Sequence, residues 1–534
     1  MMKKTMKQYT FASQVKSLAV VFGIALTFAS CAKEDVAQNP TNKEGDNDKN
    51  LTTFVAGDEA KTRTSLDYNS SDFSWEAADY IYVKDDDGVL RKSSNAPTSK
   101  VASFMYKVPG KFTASSSYKI YYLGKNSNGS QVTISTTQGQ SKPDNTEHFG
   151  TAGDYGTATA TGSVGGKTFS FQLEHQPAYL VFQPYTSNTI LQNCYLTKVE
   201  VTSDNDIAET YTVNTSTGAL TGSAGSKQIV LTTSGSSSNP NGFPLTNNSA
   251  SVTTNGAYMV IKPGTHTLRV RYWVKYVAAG TWGVIREGTI TKIYPSTAYA
   301  SNTYYDMTAQ LDVKNYDGDH YYMWDAQQQY WYGHEWWSAN KDQPVLNDYS
   351  NGNYAQNSTD PRYYNTSFPG RYISNPAIHS CKDLPNVNEM TWYAAKGDPR
   401  WDADELWITM GHLYQGGMWF KKKAVLQVEG HYDTEKSVDG TDWRINNGGN
   451  SWSVSQTLPS TADANKYFYL PALGDYDNGR QKYVGSHDAP YGMYWSSSAN
   501  PEWSGLAYDL SFDSGNVNVY GGNRLCGFRV GGFE

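Results

Sequence analysis

Polar and apolar residues alternate along much of residues 51–312. In Thr267–Tyr276 the apolar side chains hold the even positions, and polar or charged side chains hold the odd positions except at Trp273. A period of two is typical of a strand with one buried face and one face in water. The segments Tyr118–Leu123 and Ala178–Phe182, each flanked by Gly, Pro or Ser, are further predicted strands. We therefore predict that this part of the chain is built from strands.

The predicted strands recur at the spacing of β-sandwiches, with no convincing helix between them. About 260 residues suit two sandwiches of roughly 130 residues each, which we place at residues 51–185 and 186–312. Residues 313–534 have a different character, because twelve of the fifteen Trp residues lie there and helix signals appear. We predict a mainly β protein in which a third domain, of the α+β class, follows two tandem sandwiches.

One helix is predicted from its ends inward. Asn386 can cap a helix N-terminus while Glu389 reaches back to it, and Gly397 can stop the helix. Between these ends the apolar residues stand at i, i+3 and i+7: Val387, Met390 and Ala394. Closer to the end of the sequence, Ala507–Phe512 and Val517–Tyr520 flank an Asp-Ser-Gly-Asn turn, and this arrangement predicts a hairpin.

The first thirty residues have the pattern of an export signal. Four lysines with no acidic residue among them precede an apolar run, Leu18–Phe28, which is too short to span a bilayer core of about 30 Å. The run ends in Ala29-Ser30-Cys31, which resembles the lipobox of bacterial lipoproteins, where the cysteine is acylated and becomes the first mature residue. We predict a signal peptide over residues 1–30, lipidation of Cys31 and a flexible polar tether over residues 31–50. The alternative is ordinary cleavage near a chance cysteine.

The charge of the protein and a short acidic motif after Cys31 bear on its cellular location and its partners. Lys33-Glu34-Asp35 resembles the acidic surface-export tag of Bacteroides-type lipoproteins, which favours the outer face of the outer membrane. The net charge is −7, and loss of the four signal-peptide lysines lowers it to −11. Such a surface repels phosphate backbones, so nucleic-acid binding is not expected. The mean hydropathy of −0.61 excludes a polytopic membrane protein.

Two segments near the start carry a family pattern. Thr62–Leu66 contains Thr-Arg-Thr, and Phe73–Val83 contains a Trp followed by Asp-x-Ile-x-Val. They resemble the opening of the fimbrillin family of Bacteroides-type pili, and Tyr304–Leu311 resembles the closing strand of that family. The resemblance implies two transthyretin-like sandwiches and assembly by strand exchange, in which proteolysis removes a first strand and a neighbouring subunit's strand fills the groove. Arg63 would be the cleavage point, and the alternative is an exposed Arg in a loop.

Residues 313–534 carry a second set of motifs. They are Leu-Pro in Tyr469–Gly474, Trp-Ser-Ser in Tyr494–Ser498 and Gly-Phe-Arg-Val in Cys526–Val530. The set resembles the C-terminal module of many fimbrillin proteins and the major-paralogous-domain (FISUMP) family, which are distant relatives of the C-type lectin-like and formylglycine-generating-enzyme folds. In lectin-like folds a disulfide ties the first-helix region to the last strand, which implies a bond between Cys381 and Cys526. We predict that Cys194 is a buried, small apolar side chain.

Candidate catalytic chemistry is sparse, and we predict that the protein is not an enzyme. The sequence contains no complete zinc-protease motif, Gly-x-Ser-x-Gly elbow or phosphate loop. Only Cys526 stands where formylglycine-generating enzymes need a cluster of cysteines. Asp475, Asp477 and Asn478 offer oxygen ligands in a tight turn, which Ca²⁺ favours, although Asx residues in loops usually only form turns. No other cofactor is predicted.

The excess of aromatic residues is the remaining signal. An aromatic face can bury the C–H surface of a sugar while its polar rim bonds to hydroxyl groups. Rings in polar surroundings are therefore candidate ligand-binding residues: Trp336, Trp337, Trp443 and Trp503. The alternative is that these rings fill the core of a domain with little regular structure.

We expect a surface-exposed outer-membrane lipoprotein that is built into a fimbrium as an adhesin. Its partners would be other fimbrial subunits, through strand exchange, and a host, bacterial or glycan ligand on the C-terminal domain. Only Gly531–Glu534 follow the last predicted strand, so no C-terminal strand is left to donate and the expected place is the fimbrial tip. The alternative is a glycan-binding lipoprotein of the outer membrane that acts independently of pili.

Overall fold

A computed structural model describes residues 50–57, 65–66, 68, 73–125, 127–214, 217–277, 286–484 and 490–534, together with the backbone of residues 8–10. The described chain is mainly β and divides into two compact units. Residues 1–273 and 294–311 belong to the first unit, and residues 274–293 and 312–534 belong to the second. None of the helices in the described ranges has the length and apolar character needed to cross a bilayer.

The first unit is made of short strands joined by turns. In chain order its strands are β1 (Gln8–Thr10), β2 (Leu51–Ala56), β3 (Ser65–Leu66), β4 (Phe73–Ser74), β5 (Ile81–Lys84), β6 (Leu90–Lys92), β7 (Phe104–Pro109), β8 (Ser117–Tyr122), β9 (Gln131–Thr133), β10 (Thr137–Gly139), β11 (Gly156–Gly162), β12 (Thr168–Phe171), β13 (Glu174–His175), β14 (Ala178–Tyr185), β15 (Cys194–Ser203), β16 (Ala208–Val213), β17 (Leu220–Ser226), β18 (Gln228–Thr232), β19 (Phe243–Pro244), β20 (Ala257–Ile261), most of β21 (Gly264–Tyr276), the end of β22 (Arg286–Tyr299) and β23 (Thr303–Gln310).

Helices contribute little to this unit. Within its described residues they are a 3₁₀ turn at Leu191–Asn193 and two single-turn helices, α1 (Phe149–Ala152) and α2 (Val252–Asn255). The prediction that residues 51–312 are built from strands is therefore confirmed for the described part of that range.

The first sheet of this unit has the strand order β6-β5-β8-β11-β12-β2-β7, with β13 paired to β11. The predicted strand at Tyr118–Leu123 is confirmed as β8. Alternate residues of these strands point into one apolar core, which includes Phe54, Trp75, Ile81, Val83, Tyr106, Ile120 and Phe169. This core forms because a period of two sends every second side chain to the same face of a sheet.

Two further sheets complete the main body of the first unit. One has the order β1-β23-β14-β20, and the other contains β10-β18-β15-β21-β22 with β19 paired to β15. Leu268, Val270 and Tyr272 of β21 are fully buried, as the period-two pattern predicts. The strand predicted at Ala178–Phe182 is confirmed as part of β14, but β14 pairs with β20 and β23. The last strand of the predicted first sandwich therefore lies in a sheet with strands of the predicted second one.

The second unit contains strands, two α-helices and many loops. Its remaining elements are β24 (Tyr321–Tyr322), α3 (Val387–Lys396), β25 (Arg400–Thr409), β26 (His412–Lys421), α4 (Lys423–Val428), β27 (Asn450–Ser453), a 3₁₀ helix (Thr461–Lys466), β28 (Tyr467–Pro471), β29 (Asp475–Asp477), β30 (Arg480–Lys482), β31 (Gly492–Ala499), β32 (Leu506–Phe512), β33 (Asn516–Asn523) and β34 (Phe528–Arg529).

These strands form two sheets and a small hairpin. The first sheet joins β25, β26 and β28, and Thr289 of β22 pairs in parallel with Glu405 of β25. The second has the order β24-β34-β31-β32-β33-β27, and β29 pairs with β30. The hairpin predicted near the end of the sequence is confirmed, because β32 and β33 pair antiparallel from Leu506–Asn523 to Phe512–Val517.

Helix α3 begins and ends where the sequence predicts. Asn386 Oδ1 accepts a hydrogen bond from Glu389 N–H at 3.1 Å, and Glu389 Oε2 accepts one from Asn386 N–H at 2.8 Å. This capping box satisfies two backbone donors at the first turn, and Gly397 follows the last helical residue. The predicted apolar positions are buried in the aromatic core of the unit: Val387, Met390 and Ala394.

Candidate functional site

Strand β2 lies in the interior of the first sheet, between two strands from later in the chain. It pairs in parallel with β12, from Thr53–Thr168 to Ala56–Phe171, and antiparallel with β7 along its whole length. Further backbone bonds at its two ends, Thr53 N–H to Lys167 O at 2.9 Å and Gly57 N–H to Phe171 O at 3.0 Å, extend the parallel pairing. Both edges of β2 are thus hydrogen-bonded although the strand precedes every other element of this sheet.

One face of β2 fills the core. Thr52, Phe54 and Ala56 are buried, whereas the residues between them are only half-buried. The Phe54 ring stacks on Phe169 at a centroid distance of 5.4 Å and meets Phe112 edge-to-face at 5.2 Å. A chain without β2 would therefore have an apolar slot between β12 and β7, lined by aromatic rings and by two rows of unpaired backbone groups.

Two predicted sites close to β2, Cys31 and Arg63, lie outside the described residues. The chain just beyond Arg63 has a separate attachment to the first unit. Tyr68 Oη donates a hydrogen bond to Asp306 Oδ1 at 2.8 Å, and its ring lies 5.8 Å from that of Tyr304. Burial and the neighbouring Asp306 carboxylate raise the pKa of Tyr68, so this donor stays protonated. Cleavage between β2 and Tyr68 would leave the new N-terminal segment attached.

The four candidate Trp residues of the second unit have different environments. Trp337 is 52% exposed and Trp503 is 51% exposed, while Trp336 is half-buried and packs edge-to-face on Trp337 at 5.8 Å. Trp443 is only 4% exposed, and its Nε1–H donates to Asp439 Oδ2 at 3.0 Å. The prediction that Trp443 can contact a ligand is therefore wrong, because this ring is part of the core.

The predicted calcium ligands lie on the β29–β30 hairpin. Asn478 occupies the turn with a φ of 51°, and Asp477 Oδ2 lies 2.6 Å from Lys482 Nζ. Asp475 is 4% exposed, and its Oδ1 has no hydrogen-bond partner among the described residues. Among those residues no group of three or more His, Cys, Asp or Glu side chains is placed to hold a metal ion. The turn is thus occupied by an ion pair, and calcium binding there stays a prediction.

Two buried carboxyl groups make the second unit sensitive to pH. Burial raises the pKa of Asp509 to about 8 and that of Asp475 to about 7, while the charge of Lys482 partly opposes the shift at Asp475. In the unfolded chain an Asp carboxyl has a pKa of about 3.9. Between these values the folded protein retains protons that the unfolded chain releases, so the contribution of these two groups to stability is greatest at low pH and is lost as pH rises toward 8.

We therefore expect the second unit to unfold at a temperature lower by at least about 4 °C at pH 9 than at pH 5. Trp fluorescence reports this unit, because twelve of the fifteen Trp residues lie in residues 313–534. Asp509→Asn, which keeps the shape and removes the titration, should flatten the pH profile, whereas the same change at exposed Asp348 should not. A profile that stays as steep in Asp509→Asn would contradict the assignment.

The predicted disulfide between Cys381 and Cys526 is not formed in the structure, and this prediction is wrong. Both residues are free thiols. Cys381 Sγ accepts a hydrogen bond from Asp325 N–H at 3.3 Å, and Cys526 Sγ lies 3.9 Å from Asp477 Oδ1. Burial raises the pKa of Cys381 to about 12, which keeps this thiol protonated and unreactive. Cys194 is also a free thiol and is buried, as predicted.

Reducing agent should consequently leave the protein unchanged. We expect the unfolding temperature with and without dithiothreitol to agree within about 1 °C, because no cross-link constrains the unfolded chain. Mass spectrometry after alkylation of the unfolded, unreduced protein should label Cys194, Cys381 and Cys526. A drop of several degrees on reduction, with two of these thiols unlabelled beforehand, would restore the disulfide.

A cavity of about 590 Å³ opens beside β11 in the first unit. Strand β11 pairs with β12 only at Thr161 and Gly162, and the two strands separate beyond that point. The cavity is lined mainly by outward-facing polar side chains: Lys119, Thr157, Thr159, Ser170, Gln172 and Glu174. We assign no ligand to it.

Comparison with known proteins gives only distant similarity. No family model and no curated protein matches the chain. A candidate cell adhesion protein from Bacteroides ovatus is 13% identical over 49% of this chain and 93% of its own, with a TM-score of 0.32. A fimbrial protein from the same species is 12% identical over 90% of this chain and 99% of its own, with a TM-score of 0.21. The fimbrial anchor protein Mfa2 from Porphyromonas gingivalis is 12% identical over 42% of this chain and 77% of its own, with a TM-score of 0.20.

Sequence reasoning missed two features that bear on function. The position of β2 inside its sheet depends on β12 and β7, which lie 48 or more residues away in sequence and give no local signal. Arg371 and Tyr372 lie beside Trp503, although they are more than 130 residues from it in the chain. The residues of β2, Leu-Thr-Thr-Phe-Val-Ala, do not alternate between apolar and polar, so its buried face was not visible in the sequence.

Proposed function

We propose that the chain is a fimbrial subunit that assembles by strand exchange at β2. In this proposal, proteolysis after Arg63 removes β2, and a strand from a neighbouring subunit enters the slot between β12 and β7. The observation that supports it most strongly is that β2 is bonded along both edges and inserts Phe54 into the core. The strand is thus both removable, as an N-terminal segment, and required, as part of the sheet.

The energetics favour a donor strand over an empty slot. Backbone N–H and C=O groups left unpaired in an apolar groove are costly, and full burial of a single Phe side chain contributes about 1.5–3 kcal/mol. A donor that restores both ladders must place side chains that fit the core at every second position, as Thr52, Phe54 and Ala56 do. The slot therefore selects for an alternating sequence with a large central apolar residue.

Within this proposal, the contacts of residues 531–534 favour a position at the fimbrial tip. Phe533 packs against Tyr393, Phe468 and Tyr494, at centroid distances of 5.5, 6.3 and 5.9 Å. Glu534 O accepts a hydrogen bond from Lys423 N–H at 2.8 Å. Residues 531–534 thus pack against their own unit, so this segment is not free to enter a neighbouring subunit as a donor strand.

The remaining parts of the proposal follow from the predicted export and lipidation signal and from the exposed rings of Trp337 and Trp503. Acylated Cys31 would carry the precursor to the outer face of the outer membrane, where cleavage at Arg63 frees it for assembly. The first unit would hold the two transthyretin-like sandwiches, and the second a lectin-like domain that presents Trp337 and Trp503 to a ligand. No enzyme activity is part of this role.

The experiment treats the mature protein with an arginine-specific protease and then mixes it with purified fimbrial subunits. We expect a new N-terminus at Thr64 and a complex that resists dissociation in cold detergent. Arg63→Ala should remain uncut and unassembled, whereas Arg371→Ala, a change in the second unit, should assemble normally. Assembly of the Arg63→Ala protein, or polymerisation of the trimmed chain alone, would contradict the proposal.

The second candidate function is a glycan-binding lipoprotein that acts without a fimbrium. Its support is that Trp337 and Trp503 are each about half exposed, so each offers an aromatic face on which a sugar ring can pack. Glycan binding by the full chain, with no incorporation into fimbriae after cleavage, would favour this alternative.

A further inference from the structure

Trp503 stands on a turn that the side chain of Asn500 holds in place. Asn500 Oδ1 accepts hydrogen bonds from the backbone N–H of Glu502 at 2.9 Å and of Trp503 at 3.0 Å. Leu506 N–H then donates to Trp503 O at 3.1 Å, which closes the turn. The residue is nevertheless 51% exposed. A turn whose backbone is fixed before binding loses little backbone entropy when a ligand covers the ring that it carries.

Tyr372 lies against the same turn in a strained conformation. Its N–H donates to Pro501 O at 2.7 Å, its φ is 59°, and it is 59% exposed. A bulky residue in the left-handed region is uncommon, and strained residues of this kind cluster at functional sites. Burial does not repay the strain here, because most of the side chain faces water.

Arg371 adds a positive charge to this pair of rings. Its guanidinium carbon lies 5.9 Å from the centroid of the Trp503 ring, and the side chain is exposed. Among the described residues it forms no ion pair. Four other arginines of the second unit have carboxylate partners, and Arg524 and Arg529 instead donate to backbone carbonyl groups. The four ion pairs are Arg362 with Asp360, Arg400 with Asp398, Arg444 with Asp442, and Arg480 with Asp348. In a chain of net charge −7, a guanidinium without such a partner is available to an external anion.

We propose that Arg371, Tyr372 and Trp503 bind a sugar that carries a carboxylate, such as a terminal uronic or sialic acid of a glycan. An aromatic ring covers the C–H face of the pyranose, and the planar guanidinium takes the carboxylate through two parallel hydrogen bonds. This inference rests on the proposed ligand-presenting role of the second unit and names the class of ligand.

The extent of the site fits a sugar better than a protein. A stable protein interface covers about 800 Å² on each partner. Here the exposed apolar and cationic side chains are a small group, the three residues above and Ile373, followed directly by exposed small residues: Ser374, Ser504 and Gly505. The acidic side chain on the turn, Glu502, is half-buried, and its Oε2 accepts a hydrogen bond from Asn447 Nδ2 at 2.7 Å.

The test compares two probes, methyl glucuronide and methyl glucoside, which differ only in a carboxylate that replaces a hydroxymethyl group. Binding to the mature full chain is measured by NMR titration at low salt. We expect the glucuronide to bind at least about tenfold more tightly, and the difference to shrink as added salt screens the charge. A second acidic probe, the methyl glycoside of N-acetylneuraminic acid, should also bind more tightly than methyl glucoside.

Four variants separate the contributions. Arg371→Gln should reduce binding of the glucuronide to the level of the glucoside, and Trp503→Ala should weaken both sugars. Glu502→Gln keeps the bond from Asn447 and removes the nearest negative charge of the turn, so it should strengthen glucuronide binding. Trp337→Ala, a change at an equally exposed ring on another loop, should leave binding unchanged.

Equal binding of the two sugars by the unmodified protein would overturn the inference, and so would absence of binding. Loss of binding in Trp337→Ala but not in Trp503→Ala would also overturn it, since the site would then lie elsewhere. Incorporation into fimbriae is scored separately in the same variants. A protein that assembles but does not discriminate the sugars refutes this inference alone, whereas one that discriminates but never assembles refutes the fimbrial role.

Discussion

Phe54→Ala is expected to lower the free energy of unfolding of the intact chain by about 3–5 kcal/mol. The change removes a ring that is fully buried between Phe169 and Phe112, and the loss leaves a cavity in the centre of the first sheet. Denaturant unfolding followed by far-UV circular dichroism measures the effect. The same substitution should make β2 easier to displace, so cleavage after Arg63 should proceed faster than in the unmodified protein.

Val55→Ala is the matched control on the same strand. Val55 points to the opposite face of β2 and is only half-buried, so its truncation should cost about 1 kcal/mol or less. Equal losses of unfolding free energy in the two variants would mean that the buried face of β2 does not hold the strand in its sheet. The slot would then not select a donor strand by the side chains at every second position.

Asp325→Ala is expected to destabilise the second unit by about 3–5 kcal/mol. Asp325 is fully buried, and its carboxylate accepts backbone hydrogen bonds from Ile378 at 2.8 Å, His379 at 2.7 Å and Cys381 at 3.2 Å. Asn365 Nδ2 donates a fourth bond at 2.8 Å. Truncation would leave these donors without an acceptor in an apolar setting, which is the costly outcome for buried polar groups. Thermal unfolding followed by Trp fluorescence measures the loss.

Asp348 provides the comparison for Asp325. Its side chain is 74% exposed and pairs with Arg480 at 2.7 Å, an ion pair of the kind that contributes little at a surface. Asp348→Ala should therefore leave the unfolding temperature nearly unchanged. A small change in unfolding temperature for Asp325→Ala would show that water can replace the carboxylate. The hydrogen bonds of Asp325 would then not be needed to hold residues 365–381 in place.

Local patterns predicted local structure well. The alternation in Thr267–Tyr276 led to β21, and the capping box at Asn386 and Glu389 led to α3 with its correct ends. These predictions depend only on spacing within one element, since side-chain direction repeats every two residues in a strand and every 3.6 in a helix. Burial of Cys194 followed in the same way from its apolar neighbours.

Predictions that needed distant contacts were less successful. Trp443 stands among polar residues in the sequence, but its ring packs closely against Gly448 and belongs to the apolar core of the second unit. The disulfide between Cys381 and Cys526 was implied by a family resemblance. In the structure Cys381 Sγ instead accepts a hydrogen bond from the backbone N–H of Asp325. No local signal marks Arg371 or Tyr372, because their interest comes from Trp503, which only the fold brings next to them. Composition located the aromatic surplus but could not say which rings face water.

Whether β2 can be replaced by another strand is tested by the binding of a synthetic peptide, with the sequence of residues 50–57, to the chain trimmed after Arg63. We expect one peptide to bind per trimmed chain and to restore its unfolding temperature. A peptide carrying Phe54→Ala should bind at least about tenfold more weakly. A trimmed chain that ignores the peptide, or that binds the altered peptide equally well, would contradict the claim that β2 occupies a replaceable slot.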